Sequence, residues 1–551
     1  MTKEMKKSNT IIKYRFVISI FISICLLSCS KTNEKVSEVS IPKKEQPNII
    51  LFVADDHGLD AIGAYGNSII KTPNIDKLAA EGVKFTNAYC TSASCAASRS
   101  VILSGKFGHA TGSYGHVHDY HHFSTYDKET SLPVIMEAAG YETARIGKYH
   151  VAPEKVYHFN TVLEADPRNT VEMAEACADV LKSDKPFFLY FCTDDPHRGH
   201  PFEPEQWDIP NSFGNKKNGY KDVETVAYDP KDVLVPSFLP DTKQTREEIA
   251  QYYQSVSRID QGFGKLMKML KETGKDKNTI VIYISDNGMA FPGAKTTVHE
   301  PGIKLPCIVK DPTKNIINAT NEAMVSWVDL APTILDMAKI DFKKEQFHGK
   351  SFNLILDKSK VEGWDEIYAS HTFHEITMYY PMRVVRSKNY KLIWNIAYPL
   401  EYPFASDLWA SSTWQSIYKN DIEYFGPKTV KNFLFRPEFE LYDLSQDADE
   451  LNNFIYVLNN VFVPKDVYLM CFHPNDGEEE EPVTFLEDTT WYPDNEFLMV
   501  LIQPFDELEK ASANLEKIGF YSNWPSDYYN GTVKKRQQYR RLRYGWNEKK
   551  S

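Results

Sequence analysis

The sequence predicts an α/β sandwich on a large, mainly parallel sheet, with a smaller C-terminal α+β region carrying an antiparallel sheet. Three observations predict it. Short continuous apolar runs, the mark of strands buried on both faces, alternate with amphipathic helical patterns from residue 48 to about residue 340. Polar residues collect directly after those runs, as they do at the carboxyl edge of a parallel sheet. Beyond about residue 375 the apolar residues fall into short segments of a different texture.

The elements follow in order. Asn48-Ile-Ile-Leu-Phe-Val53 is the first buried strand. Thr72 to Glu81 reads as a short helix: Pro73 suits its first turn, Ile75, Leu78 and Ala79 share one side, and Gly82 stops it. Ala97 to Leu103 can be helical, stopped at Gly105, which sets Cys95 at a helix N-terminus. Leu132 to Ala139 is a helix closed by Gly140, and Glu142 to Ile146 a short strand. Lys185 to Cys192 is a strong strand, Glu247 to Thr273 a long amphipathic helix, Asn278 to Ser285 another buried strand, and Val328 to Ala338 a helix. Tyr380 to Asn395 and Phe439 to Asp443 look like antiparallel strands. The expected division is a targeting segment over 1–28, a tether over 29–46, a main domain over 47–375 and a C-terminal α+β subdomain over 376–551.

Composition narrows the function classes. The 551 residues carry 63 Lys+Arg against 75 Asp+Glu, a net charge of −12, and 42% are hydrophobic. That fits a folded globular protein and argues against disorder or a coiled coil. The acidic balance speaks against nucleic-acid binding and means that any anion site must be local. Eight Cys are too few for a disulfide scaffold. Lys3, Lys6, Lys7, Lys13 and Arg15 precede an apolar run from Phe16 to Leu27, too short for a comfortable membrane span and suited to a signal-peptide core. Its end, Leu26-Leu27-Ser28-Cys29, resembles the bacterial lipobox, which implies lipid attachment at Cys29 and a protein held to a membrane of the cell envelope, periplasmic or surface-facing; an uncleaved N-terminal anchor is the alternative.

Asp55 and Asp56 follow the first strand, Lys148 and His150 the short one, Asp194, Asp195 and His197 the third, and Asp286 and Asn287 the fourth. A lone Asp after a strand is best read as a helix cap; the repetition points to a site. Asp55, Asp56, Asp286 and Asn287 offer only oxygen, which suits Ca²⁺ or Mg²⁺ better than zinc. Cys95, with Arg99 four residues on along the same face, is the nucleophile candidate. A small buried thiol, or pairing with Cys90, is the alternative.

Cys95-Ala-Ala-Ser-Arg99 followed by Leu103-Ser-Gly105 resembles the sulfatase signature Cys-x-Pro/Ala-x-Arg with Leu-Thr-Gly. Asn48 to Asp56, Thr72-Pro-Asn-Ile-Asp-Lys-Leu78, Gly147-Lys-Tyr-His150 and Ser285-Asp-Asn-Gly288 resemble further blocks of that family in order. Gly112 to Phe123, Ile146 to Tyr157 and His374 to Arg383 are similar to its N-sulfoglucosamine sulfohydrolase (heparan N-sulfatase) branch. The resemblance implies oxidation of Cys95 to formylglycine by a maturase, of the radical type given Ala97. It implies one Ca²⁺ held by Asp55, Asp56, Asp286, Asn287 and modified residue 95. Arg99, Lys148 and Lys295 would stabilise charge, with His150 as base and His197 as general acid. His118, His121 and His122 would line the substrate pocket, a zinc site or a solvated loop being the alternatives. Glu375 and Arg383 would grip the sugar. The implied reaction removes the N-sulfate of a terminal glucosamine in sulfated glycosaminoglycan oligosaccharides; a homodimer is compatible with it.

Three other readings stand beside that one. An O-sulfatase on another glycan shares the catalytic set. A phosphomonoesterase of similar fold would use Ser or Thr with zinc-type ligands. A lipoprotein that only binds sulfated glycans follows if Cys95 stays a thiol. The apolar stretch Phe454 to His473, the acidic run Asp476 to Glu481 and the basic end Lys534 to Arg543 have no place in the catalytic reading, and the basic end is best taken as a solvated helix face.

Overall fold

The computed structural model describes residues 46–199 and 204–455, together with a two-stranded ribbon of Met470–Phe472 and Met499–Leu501. The targeting segment, Cys29, the tether up to residue 45, most of the 454–473 stretch, the acidic run and the basic end lie outside the described residues. Among the described residues no helix is long and apolar enough to cross a membrane.

Eight strands form the main sheet: β1 (Asn48–Ala54), β2 (Val83–Tyr89), β3 (Glu142–Gly147), β4 (Thr161–Leu163), β5 (Phe187–Cys192), β6 (Thr279–Ser285), β7 (Cys307–Lys310) and β8 (Ala319–Ser326). Their spatial order is β4-β3-β5-β1-β6-β7-β2-β8. Only β7 runs against its neighbours; the other pairings are parallel. The strands read as continuous apolar runs, β1, β5 and β6, lie side by side and are buried along their whole length. Sequence reasoning passed over β2, β4, β7 and β8. In β2, alternate positions are only partly buried, and β8 opens with exposed polar residues, so neither shows an unbroken apolar run.

Successive β1 side chains enter different layers, as a period of two requires. Ile49, Leu51 and Val53 pack into a core shared with Val101, Ile102 and Leu103. Ile50, Phe52 and Ala54 pack against Ile259, Phe263 and Leu266 of the long helix. The sheet is thereby covered on both faces. The helices that matter are α1 (Pro73–Ala80), α2 (Cys95–Ser104), α3 (Leu132–Ala138), α4 (Lys243–Glu272), α5 (Leu330–Met337) and α6 (Ser412–Tyr418). Two of these are longer than expected. The α2 helix starts at Cys95 itself, and α4 starts at Lys243 because the Thr242 side chain accepts a hydrogen bond from Thr245 N–H as its cap.

A separate antiparallel sheet has the order β12-β11-β10-β9, from β9 (Glu366–His371), β10 (Met382–Ser387), β11 (Tyr390–Asn395) and β12 (Phe439–Asp443). Tyr380 to Asn395, expected to be antiparallel strand, holds the β10–β11 hairpin, and the first strand of the sheet lies ahead of residue 376. A buried clamp ties the C-terminal region to the main layers. Arg198 forms a two-pronged pair with Glu248 of α4, at 2.8 and 2.9 Å. The same carboxylate accepts from the backbone N–H groups of Ser412 and Thr413 and from the Thr413 hydroxyl.

Candidate active site

The carboxyl ends of β1 and β6 lie next to each other, so Asp55, Asp56, Asp286 and Asn287 meet in one buried cluster. Asp56 turns the chain out of β1 with a φ of 62°, a left-handed conformation that Asp tolerates better than most residues. Its N–H donates to Asp286 Oδ1 at 3.0 Å, and Tyr252 OH donates to its carbonyl at 2.8 Å. Asn287 Nδ2 donates to Asp56 Oδ1 at 2.7 Å.

Arg99 and Lys148 reach into this cluster. The Arg99 guanidinium is fully buried; it donates to Asp286 Oδ2 through Nε and Nη2 at 2.9 and 2.8 Å, and to Asp55 Oδ1 at 3.1 Å. Its remaining arm donates to the Lys148 carbonyl at 3.0 Å. Lys148 Nζ lies 2.6 Å from Asp55 Oδ2. Burial alone would push the Asp55 carboxyl up, but Lys148, His197 and Arg99 outweigh it and hold Asp55 well below the ordinary carboxylate range. Asp286 goes the other way: burial and the neighbouring Asp55 and Asp56 raise it to about 7, against the pull of Arg99.

Cys95 begins α2, is fully buried, and donates from Sγ to Asp56 Oδ1 at 3.7 Å. Burial drives its thiol well above the ordinary value, so the unmodified side chain is a protonated, poor nucleophile at neutral pH. The pairing of Cys90 with Cys95 is not formed: both thiols are free, and Cys90 Sγ instead donates to the Gly302 carbonyl at 3.7 Å.

The donor set fits a hard divalent cation. Three carboxylates crowd together, and Asn287 Oδ1 is a buried oxygen with no hydrogen-bond partner among the described residues. An oxygen-seeking cation would satisfy that orphan and relieve the mutual repulsion that holds Asp286 up.

Opposite Lys148 stands a second group. Lys295 Nζ, fully buried, lies 3.0 Å from each of Asp56 Oδ2, His197 Nε2 and Asp407 Oδ2. His197 Nδ1 faces the Arg198 carbonyl at 2.8 Å, which fixes the ring. Burial, then Lys295 and Lys148, lower His197, so it is neutral at neutral pH. Asp407 is held at about 2 because Lys295 and His197 outweigh the effect of burial. Sequence reasoning missed Asp407. It lies on a single helical turn, Ser406–Trp409, where a lone Asp carries no spacing signal.

The histidines gather on the other side. His150 stands at a φ of 54°, and its Nε2 lies 2.8 Å from His118 Nδ1. Burial, Lys148 and the neighbouring His116 keep it well below the ordinary histidine value. His116 and His374, quoted above only as parts of longer stretches, complete the group: their ring centres are 4.0 Å apart, and His374 Nδ1 bonds Ser94 Oγ at 2.9 Å. His121 is buried and accepts from Ile376 N–H at 3.0 Å, which ties its loop to the C-terminal region, whereas His122 is exposed. Glu375 receives the Ser406 N–H and hydroxyl at 2.8 and 2.6 Å, so it supports the turn that carries Asp407. Arg383 lies on β10 and donates to the Met382 carbonyl and to Thr372 Oγ1.

The sulfatase family profile matches residues 47–340, and that of the N-sulphoglucosamine sulphohydrolase C-terminal region matches residues 293–410. The chain is 35% identical to human N-sulphoglucosamine sulphohydrolase over 429 residues, 74% of this chain and 85% of that one. It is 29% identical to an ulvan-active sulfatase of Formosa agariphila over 77% of this chain and 78% of the relative. The fold is shared with a solved structure holding its substrate D-glucosamine-2-N,6-O-disulfate, at a TM-score of 0.55 and 22% identity over 75% of this chain and 94% of that one. It is shared equally with a phosphonate monoester hydrolase of Agrobacterium radiobacter, at a TM-score of 0.55 and 17% identity over 76% of this chain and 93% of that one. Profile, extent of identity and fold agree: the chain belongs to the sulfatase family.

Proposed function

We propose that this sulfatase hydrolyses the N-sulfate of a terminal non-reducing glucosamine in heparan sulfate or heparin fragments. The observation that carries the reading is the 35% identity to human N-sulphoglucosamine sulphohydrolase over 85% of that protein, and the profile of that enzyme's C-terminal region matches residues 293–410, which include Asp407. Sulfatases generally use formylglycine and a divalent metal, and the acidic cluster is compatible with both.

Asp55, Asp56, Asp286 and Asn287, with matured residue 95, would hold a Ca²⁺ ion that supplies Lewis-acid polarisation of sulfate oxygens. Hydrated formylglycine at position 95 would supply the nucleophilic hydroxyl. The chain's own side chains do the rest. Arg99 and Lys148 fix the carboxylates, and Lys148 and Lys295 bring positive charge to bear on the sulfuryl oxygens. His150, kept neutral, accepts a proton and shares it with His118 through their 2.8 Å contact. A sulfamate leaves as an amine and must gain a proton at nitrogen. His197 and Lys295 are the donor pair: the proton comes from the Lys295 ammonium, which His197 Nε2 faces at 3.0 Å, and Asp407 holds Lys295 in place. We extend the proposal to a radical-type maturase acting on Cys95 and to a lipid anchor at Cys29 in a bacterial cell envelope.

Two measurements test the reading. Sulfate release from N-sulfoglucosamine should far exceed release from 6-O-sulfated N-acetylglucosamine; the reverse preference would make the chain an O-sulfatase. Peptide mass spectrometry should find position 95 converted to formylglycine, and an unmodified Cys95 in active protein would sink the mechanism.

A further inference from the structure

Beside the acidic cluster, His116, His118 and His150 each offer a ring nitrogen, and these atoms lie within 4.8 Å of one another. The three rings are neighbours, with centres 4.8 to 4.9 Å apart. A structural explanation for three packed histidines would be mutual hydrogen bonding, but only the His118–His150 contact is made. His116 is only 8% exposed, and its Nδ1 is buried with no partner among the described residues; His150 Nδ1 is likewise unpartnered. Burial of a polar nitrogen without a bond costs about 1–3 kcal/mol, so the His116 nitrogen, which faces the other two rings, needs an explanation.

We propose that His116, His118 and His150 form a second metal site, for a borderline divalent transition ion of the zinc type, distinct from the oxygen-lined cation site. Three imidazoles are the donor set such an ion prefers, whereas a hard cation prefers oxygen. His116 is held at about 2 by burial and by Lys295 and His118, so its lone pair is free at neutral pH. His118 Nε2 lies 3.7 Å from the Asp119 carboxylate while its Nδ1 faces His150. At that distance the carboxylate makes no hydrogen bond to the ring, but a shift of under about 1 Å would let it orient a ligating His118. Ligation through His118 Nδ1 and His150 Nε2 needs each ring to carry its proton on the other nitrogen, and the ion then replaces the hydrogen bond between them. The His118 side chain is 48% exposed, which opens a path for entry from solvent. The nearby Lys148 charge is already engaged by Asp55 at 2.6 Å. An ion here would occupy the His150 lone pair, and so inhibit hydrolysis; that consequence rests on the role proposed for His150 above, whereas the binding itself does not.

The test is a binding titration on the full chain, stripped by chelation and then kept in excess Ca²⁺. Co²⁺ should bind once per chain with the visible absorption of a low-coordinate, histidine-ligated ion, and Zn²⁺ should displace it. His118→Gln, at a side chain 48% exposed, should weaken binding by about 100-fold with the urea midpoint near the parent's, and Asp119→Asn by roughly 10-fold, the lower end for an orienting partner. Cys95→Ala should bind as the parent does. No binding, parent-like binding by His118→Gln, or loss of binding in Cys95→Ala would each overturn the proposal, the last by moving the ion to the acidic cluster. Failure of the sulfamate reading alone would leave these titrations unchanged.

Discussion

Replacing Arg99 with Met tests the electrostatics of the acidic cluster most directly. The guanidinium is fully buried and makes three contacts of 2.8 to 3.1 Å with Asp55 and Asp286. Without it, Asp55 keeps Lys148, but Asp286 keeps only the N–H groups of Asp56 and Asn287. Removing one partner of a buried pair costs about 3–5 kcal/mol when the other stays charged. Here the cost depends on pH. Asp286 already titrates at about 7, and losing Arg99 raises it further. A raised carboxyl contributes stability through its bound proton, and that contribution disappears as pH rises through the folded-state value. Between the parent's value near 7 and the variant's higher one, the variant therefore loses ground by roughly 1.4 kcal/mol for each pH unit separating the two. Urea unfolding of both proteins in chelator, at pH 6 and pH 8.5, reads this directly. The deficit should be about 1–3 kcal/mol at pH 6, from lost hydrogen bonds, and clearly larger at pH 8.5. An equal deficit at both values would refute the assignment of the labile proton to Asp286.

The remaining predictions concern activity and metal. Cys95→Ala should reduce sulfate release to background while the urea midpoint stays near the parent's, because a small buried side chain replaces another; retained turnover would remove position 95 from the chemistry. Cation affinity, followed by calorimetry, should rise with pH through about 7 as Asp286 gives up its proton, and a flat profile would mean that this carboxylate is not a ligand. Because burial and Lys148 depress His150, the acid limb of kcat/KM should fall below about 6.5, the ordinary histidine value, and a limb above it would exclude this group as the base. Asp407→Asn frees Lys295 from one of its two carboxylates and should lower kcat by roughly 10- to 100-fold with KM changed less; an unchanged kcat would make Asp407 purely structural.

The parts of this molecule that were legible in sequence are those where one local pattern dictates the structure. Asn48–Ala54 and Thr279–Ser285 show no polar interruption because helices cover both faces of the central sheet, so both strands and the polar residues at their ends were readable. Arg99 was readable because it lies one helical turn from Cys95. Asp407 and the pairing of His116 with His374 were not, because each depends on a contact between segments far apart in the chain. Nor did the sequence reveal that Glu375 turns toward Ser406: its carboxylate is as good a cap as it is a sugar ligand, and only the fold decides between them.

The clamp at Glu248 has a consequence for the order in which the protein is made. Glu248 and Ser412 are 164 positions apart, and Lys295 and Asp407 are 112 apart. A ribosome has therefore released every carboxylate of the cation cluster long before it releases the turn that steadies Lys295. During synthesis Glu248 has its Arg198 partner but lacks the Ser412 and Thr413 donors, Lys295 lacks one of its two carboxylates, and the interval ends only when residues 407–413 dock. A chain cut short ahead of Asp407 would thus keep its cation ligands yet lack the piece that organises the proton-donating side of the site.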